Sequence, residues 1–125
     1  MRKLMVIGAI LCIVSGCMRK PEATIEEALH EKSIAIVEDV IQGDFQSVIN
    51  QGSLSLRYQV TPEYLEEVLT TFPGNYGSFV DIDTCDVLIR QDFYFSSVYV
   101  NYENYKHLFQ MIFDNNLKLN AIYLK

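Results

Sequence analysis

The spacing of apolar residues changes once along this chain, and that change limits the folds open to it. Between residues 24 and 72, apolar residues recur every three or four positions, as they do on one face of a helix. From residue 77 to residue 124 they alternate with polar residues or form short runs rich in Val, Ile, Phe and Tyr, which is typical of strands. Helical segments followed by consecutive strands predict one α+β domain.

Helix start and stop signals divide the first part. Thr24-Ile25-Glu26-Glu27 has the pattern of a capping box and predicts a helix start, and Gly43 predicts that helix's end. A short second helix or turn is predicted from Asp44 to about Asn50, and residues 53–60 fit either a helix or a loop. Thr61-Pro62 predicts a further helix. Its expected buried stripe is Tyr64, Leu65, Val68, Leu69 and Phe72, and Pro73-Gly74 is its expected end.

Four strands are predicted in the second part, over residues 79–90, 92–102, 105–113 and 117–124. The connections between the first two strands and between the last two are short enough for hairpins, so neighbouring strands should be antiparallel. We therefore expect N-terminal helices packed on one face of a curved antiparallel sheet of about four strands.

The N-terminus has the features of a bacterial export signal. Arg2 and Lys3 supply positive charge, and residues 4–14 are uncharged and mostly apolar. Val14-Ser15-Gly16-Cys17 resembles the lipobox of bacterial lipoproteins, in which the cysteine thiol accepts a diacylglyceryl group before cleavage between the last two residues, here Gly16 and Cys17. The expected organisation is a signal peptide, a lipidated cysteine with a short linker, and the domain, over residues 1–16, 17–23 and 24–125.

This organisation predicts a cell-membrane lipoprotein whose domain lies on the extracytoplasmic side. Two acyl chains give stable anchoring, and Arg19 and Lys20 either add attraction to an anionic leaflet or form a plain polar linker. Loss of Arg2 and Lys3 leaves 8 of the 10 Lys and Arg against 16 Asp and Glu, a formal charge of −8. Such an acidic body repels phosphate backbones, which argues against nucleic acid as a partner.

Three motifs resemble a known family. Gly43-Asp44-Phe45, Thr61-Pro62-Glu63-Tyr64-Leu65 and Tyr76-Gly77-Ser78-Phe79 precede the four predicted strands. This order resembles the bacterial domain-of-unknown-function family 3887, over residues 24–125. The resemblance implies a nuclear transport factor 2-like (SnoaL-like, cystatin-like) fold, in which helices pack in the cup of a bent sheet. No biochemical activity goes with that family.

Two classes of function follow from this resemblance. We expect a non-catalytic module that binds a small apolar ligand or another protein, either a second copy through the sheet or an unknown envelope protein. The alternative is an enzyme of the SnoaL or ketosteroid-isomerase type, which needs a carboxylate or histidine base and a tyrosine or protonated-acid donor in an apolar cavity. The candidates for these roles are Asp81, Asp83, Asp86, Tyr58 and Tyr99.

The predicted first strand carries the three candidate carboxylates. Strict alternation places Asp81 and Asp83 on the face of Cys85, and it places Asp86 on the face of Ile82 unless a bulge shifts the register. Solvated carboxylates are the commoner case on a strand. Cys85 is expected to be buried and inert.

No metal or cofactor is expected. His30 and His107 share no metal-ligand spacing, and Asp81-Ile82-Asp83 lacks the glycine and closing glutamate of a calcium loop. The aromatic residues between Phe93 and Phe113 are expected to supply one core face, and their other face, where exposed, suits dimerisation or ligand docking.

Overall fold

A computed structural model describes residues 18–70 and 76–125 of the chain. Within them, four helices come first: α1 (Ala23–Gln42), α2 (Phe45–Asn50), α3 (Leu54–Gln59) and α4 (Pro62–Thr70). Four strands follow: β1 (Phe79–Arg90), β2 (Phe93–Tyr102), β3 (Lys106–Phe113) and β4 (Leu119–Leu124). They form one antiparallel sheet in the order β1-β2-β3-β4, which confirms the predicted α+β class. The nuclear transport factor 2-like cone stays a prediction.

Several sequence predictions concern residues outside the described ranges. They are the signal peptide, the cleavage site at Gly16, the lipid-accepting Cys17, and the helix end at Phe72 and Pro73-Gly74. Among the helices of residues 18–70 and 76–125, none combines the length and the apolar character that a membrane crossing requires.

Local hydrogen bonds define most of the helix ends. At the end of α1, the N–H of Gly43 donates to the carbonyl of Val40, and the N–H of Asp44 donates to the carbonyl of Asp39. This is a Schellman motif, and Gly43 adopts the left-handed conformation that the motif needs, with φ of 83°. The next three helices are capped by Asp44, Ser53 and Thr61, each accepting from a backbone N–H three residues ahead.

Two details of the helix prediction were wrong. Helix α1 begins at Ala23, and its N-cap residue Glu22 makes no side-chain cap, so Thr24 lies inside the first turn instead of capping it. Helix α4 packs against α2 through the narrow stripe of Leu65 and Leu69, both 3% exposed. Tyr64 and Val68 were predicted to belong to the buried stripe, but they lie beside it and are exposed. No described element covers that side of α4.

The core lies between the helices and one face of the sheet, which we call the core face. Helix α1 contributes five buried residues to this layer, Leu29, Ser33, Ile36, Val37 and Val40. Strands β2 and β3 contribute alternate residues, among them Val98, Val100, Phe109, Met111 and Phe113. A hydrogen bond of 2.6 Å joins the hydroxyls of Ser33 and Ser96, so the polar pair that links α1 to β2 inside this core is satisfied.

Strand β1 does not follow the strict alternation predicted for it. Register shifts between Phe79 and Asp81 and between Ile82 and Thr84 mark bulges, and each extra residue reverses the alternation. Ile82 and Cys85 therefore both belong to the core face, opposite Val100 and Val98, whereas Asp81 lies on the opposite face, opposite Asn101. Placing Asp81 on the face of Cys85 was wrong for this reason.

Cys85 is half-buried, and its sulfur lies 3.8 Å from the Ser96 hydroxyl. Burial raises the pKa of the Cys85 thiol above its ordinary value, which keeps it protonated.

The residues before α1 pair with the free edge of β1. The N–H of Arg19 donates to the carbonyl of Ile89 over 3.0 Å, and the N–H of Ile89 donates to the carbonyl of Arg19 over 2.7 Å. This antiparallel bridge holds the start of the described chain beside the β1–β2 turn.

Gly43 offers a test of the helix end. A Cβ at this position meets nothing within 4 Å, so the cost of Gly43→Ala comes from the left-handed backbone alone. We expect a loss of about 1–2 kcal/mol in the free energy of unfolding. Chemical unfolding of the two chains measures it. Gly43→Asn is the matched control and should lose less, because Asn tolerates this conformation; an equal loss would contradict the explanation.

Candidate functional site

A pocket of about 280 Å³ opens at the end of the core where β1 begins and β2 ends. The C-terminal end of α1 and helix α4 form its aliphatic side, and the sheet with Tyr76 forms its aromatic side. The described residues that line it are Val40, Ile41, Leu69, Tyr76, Phe79, Tyr102, His107, Phe109 and Leu124. We call it the tyrosine–histidine pocket.

Three tyrosine rings surround the imidazole of His107. The ring centroids of Tyr76, Tyr102 and Tyr105 lie 4.7, 5.0 and 4.7 Å from that of His107, each in an edge-to-face arrangement. Phe79 extends the group, with its ring 6.0 Å from that of Tyr102. His107 is only 2% exposed, and it lines the pocket.

Gly77 makes this assembly possible. The backbone of residues 76–78 pairs with the β2–β3 turn: Asn104 donates its N–H to the carbonyl of Tyr76, and Glu103 donates its N–H to the carbonyl of Ser78. Gly77 has φ of 81°, and a Cβ there would lie 2.7 Å from the Cβ of Glu103. Only glycine allows this close approach, which brings the Tyr76 ring to 4.9 Å from that of Tyr102.

The pocket is uncharged near neutral pH. Burial lowers the pKa of His107 below its ordinary value, and a hydrogen bond with the backbone of Lys125 offsets part of this effect. Burial also raises the pKa of Tyr102, and the neighbouring Tyr76 adds to that shift. A neutral imidazole and neutral phenols suit an apolar or weakly polar occupant.

The predicted catalytic carboxylates lie elsewhere. Asp81 accepts a hydrogen bond of 2.9 Å from the amide of Asn101, and Asp83 forms an ion pair of 2.8 Å with Lys106. Asp86 is exposed and lies opposite Ser97. None of the three lines the tyrosine–histidine pocket.

The two predicted phenol donors are also outside the pocket. Tyr58 is 88% exposed on helix α3, and Tyr99 is 36% exposed on the sheet face opposite the core. The ammonium of Lys106 lies 5.9 Å from the Tyr99 ring centroid, so these residues and Asp83 form a small surface cluster.

Sequence reasoning did not predict that Tyr76, Tyr102 and His107 come together. The tight β2–β3 turn was a usable signal, because it brings Tyr102 close to His107 across a hairpin. The position of Tyr76 had no such signal, since it depends on the pairing of residues 76–78 with that turn.

The opposite face of the sheet carries a continuous apolar row. Leu88 pairs with Phe95, Phe95 with Ile112, and Ile112 with Ala121, so one apolar side chain comes from each strand. All four are half-buried, and none belongs to the core cluster. Around the row lie Phe93, Tyr99, Leu108 and Tyr123. We call this surface the uncovered sheet face, because no described helix packs against it.

Potential metal ligands are scattered over the domain. The part of the chain that the structure describes brings no three His, Cys, Asp or Glu side chains together in a way that could hold a metal ion.

Comparison with known proteins identifies one relationship. A family model with the description "Protein of unknown function (DUF3887)" matches residues 33–122, which is more than half of the chain and includes the motifs at Gly43, Thr61 and Gly77. No curated protein and no solved structure matches the chain.

The environment of His107 predicts how stability changes with pH. Because the folded-state pKa of His107 is lowered, the unfolded chain binds more protons as the pH falls below about 6.5, the ordinary value. The contribution of the buried neutral His107 to the free energy of unfolding is thus fully present above pH 6.5, and it is lost as the pH falls through the folded-state pKa. Chemical unfolding between pH 7 and pH 5 should show a shallower slope for His107→Phe than for the natural chain. His30→Gln, in the N-terminal half of α1, is the control; an equal change in both variants would contradict the assignment.

Proposed function

The chain belongs to the family of proteins of unknown function DUF3887, and we propose that this member is a membrane-anchored extracytoplasmic lipoprotein that acts by binding. Its proposed partner is a second copy of the chain, bound through the uncovered sheet face. The observation that carries the proposal is the apolar row of Leu88, Phe95, Ile112 and Ala121, which crosses all four strands on the side away from the helices.

The anchoring part of the proposal rests on the N-terminal sequence. A charged start, an apolar stretch and the lipobox-like Val14-Ser15-Gly16-Cys17 occur together in the first 17 residues. Only residues 18–22 separate Cys17 from helix α1. A linker this short agrees with a domain that is held close to the membrane.

The size of the uncovered sheet face suits a weak dimer. Four strands about 4.8 Å apart and about eight residues long span roughly 500 Å² per copy, so a pair buries about 1,000 Å². That is the lower end for a specific interface in solution. Two copies anchored in one membrane meet at a much higher effective concentration, which compensates for a small interface.

Two residues of opposite charge lie at opposite edges of this face. Asp86 on β1 is acidic, and Lys125 follows β4, where its backbone pairs with that of Leu108. A twofold axis parallel to the strands places β1 of one copy over β4 of the other, which brings each Asp86 towards a Lys125 of the other copy. This complementarity favours a second copy over an unrelated envelope protein as the occupant.

The isomerase-like alternative has less support. It needs a carboxylate or histidine base and a donor inside an apolar cavity, and the five candidates for these roles all lie outside the pocket. The pocket itself holds His107, Tyr76 and Tyr102 together with apolar side chains. The pocket volume of about 280 Å³ is also below the usual range for ligand sites, so a bound small apolar molecule is a weaker proposal than the dimer.

Cys17→Ser tests the anchor. Without the thiol there is no acceptor for the diacylglyceryl group, so acyl labelling should be lost and unprocessed precursor should accumulate. Metabolic labelling with a radioactive fatty acid and the electrophoretic mobility of the chain measure the two effects. Cys85→Ser is the matched control and should label like the natural chain. A processed or labelled Cys17→Ser chain would rule out the anchor.

Phe95→Lys tests the dimer. It places a charge in the centre of the apolar row, where a partner would desolvate it, so the dissociation constant should rise at least tenfold. Sedimentation of the acylated chain in detergent measures the association.

Tyr58→Lys is the control for that test, because it makes the same change of charge on helix α3, where the side chain is 88% exposed. Both variants make the acidic domain less negative, so general charge repulsion cannot explain a weaker dimer. Circular dichroism checks that both remain folded. A folded Phe95→Lys chain that still dimerises would contradict the proposed interface.

A further inference from the structure

The start of the described chain is fixed to one place on the domain. The two hydrogen bonds between Arg19 and Ile89 hold it at the free edge of β1, one residue before Arg90 and the turn to β2. Cys17 precedes Arg19 by two residues, and two residues span at most about 7 Å. An acyl group on Cys17 must therefore enter the membrane close to the β1–β2 turn.

The charges at this end of the domain differ from those of the rest. Residues 18–23 and 90–93 contain Arg19, Lys20 and Arg90, with Glu22 and Asp92 as the acids, for a net charge of +1. The chain from residue 17 onward carries −8 in total, so the remainder carries −9. Lys20 pairs with Glu26 but keeps 72% of its side chain exposed. An anionic leaflet repels the body of the domain and attracts this end.

Two exposed apolar side chains accompany these cations. Met18 is 42% exposed and Phe93 is 39% exposed, and both belong to the same two segments. Apolar side chains beside cations are the combination found on surfaces that rest in the headgroup region of a bilayer.

We propose that the end formed by residues 18–23 and 90–93 lies against the anionic lipid headgroups, so that the tyrosine–histidine pocket faces away from the membrane. The pocket lies at the other end of the sheet: the β2 partners of Phe79 and Ile89 are Tyr102 and Tyr94, eight residues apart, which corresponds to about 27 Å. This inference rests on the proposed lipidation of Cys17.

This orientation agrees with the proposed dimer. With the strands roughly perpendicular to the bilayer, the uncovered sheet face points sideways, toward a second copy in the same membrane. A twofold axis parallel to the strands then keeps both acyl groups on the same side of the pair, whereas an axis perpendicular to the strands would place them at opposite ends.

The orientation can be measured on the acylated chain in vesicles of phosphatidylcholine and phosphatidylglycerol. A fluorophore is attached to Gln91→Cys in the β1–β2 turn or to Asn104→Cys in the β2–β3 turn, both in a Cys85→Ser background. Brominated lipids should quench the label at position 91 several-fold more than the label at position 104. Equal quenching, or stronger quenching at position 104, would overturn the orientation.

A substitution in the bridge tests its physical cause. Arg19→Pro removes the N–H that donates to Ile89 and should reduce the difference between the two labels. Arg19→Ala keeps both backbone hydrogen bonds, so it should retain most of the difference. Loss of the difference in Arg19→Ala but not in Arg19→Pro would overturn the role of the bridge.

Acyl labelling of the same samples separates this inference from the proposed function. A chain without acyl label would rule out both the proposed anchor and the proposed orientation. An acylated chain whose two labels are quenched equally overturns the orientation and leaves the anchor in place.

Discussion

Helix α1 buries Leu29, Ile36 and Val37 completely against one face of the sheet, and each such side chain contributes about 1.5–3 kcal/mol relative to exposure. The helix is 20 residues long and ends in a Schellman motif at Gly43, after which the chain turns back toward the sheet. The short helices α2 and α3 then complete the layer through Phe45, Val48 and Leu56. Without the α1 contact, these short helices would have no core to join, because isolated helices of six residues are not stable in water.

Covering one face of the sheet leaves the other face exposed, and the same strands supply both. The alternation that directs Val98 and Met111 inward directs Phe95 and Ile112 outward. Most outward positions on a soluble sheet are polar, so an apolar residue from every strand in one row is a feature that packing of the core does not explain. It is the physical basis for proposing a second copy as the partner.

The two ends of the sheet have different environments. At the beginning of β1, Tyr76, Tyr102 and Tyr105 surround a neutral His107 and close the core around a small pocket. At the end of β1, the backbone of Arg19 pairs with Ile89, and cations and exposed apolar side chains lie around the turn. The proposed anchor lies at one end of the strands and the pocket lies at the other, so the domain is polar along its strands.

Local features of the sequence determined much of this fold. Gly43, Asp44 and Thr61 act through hydrogen bonds to residues at most five positions away, so their roles at helix ends can be predicted without knowledge of the tertiary structure. The four strands and their hairpin order follow from alternation and short turns, and the strand bounds agree with the prediction within two residues. The family was likewise recognisable from motifs in the chain.

Contacts between distant segments decided the rest. The bulges of β1 reverse which side chains face the core, and the register with β2 sets them, so Asp81 could not be placed by counting along the strand. Tyr64 and Val68 are exposed because only one side of α4 meets α2, and the pocket forms because Tyr76 pairs with a turn 28 residues later, at Asn104. A residue's own sequence neighbourhood specifies its backbone preference. Its burial and its partners depend on chain segments that meet only in the folded domain.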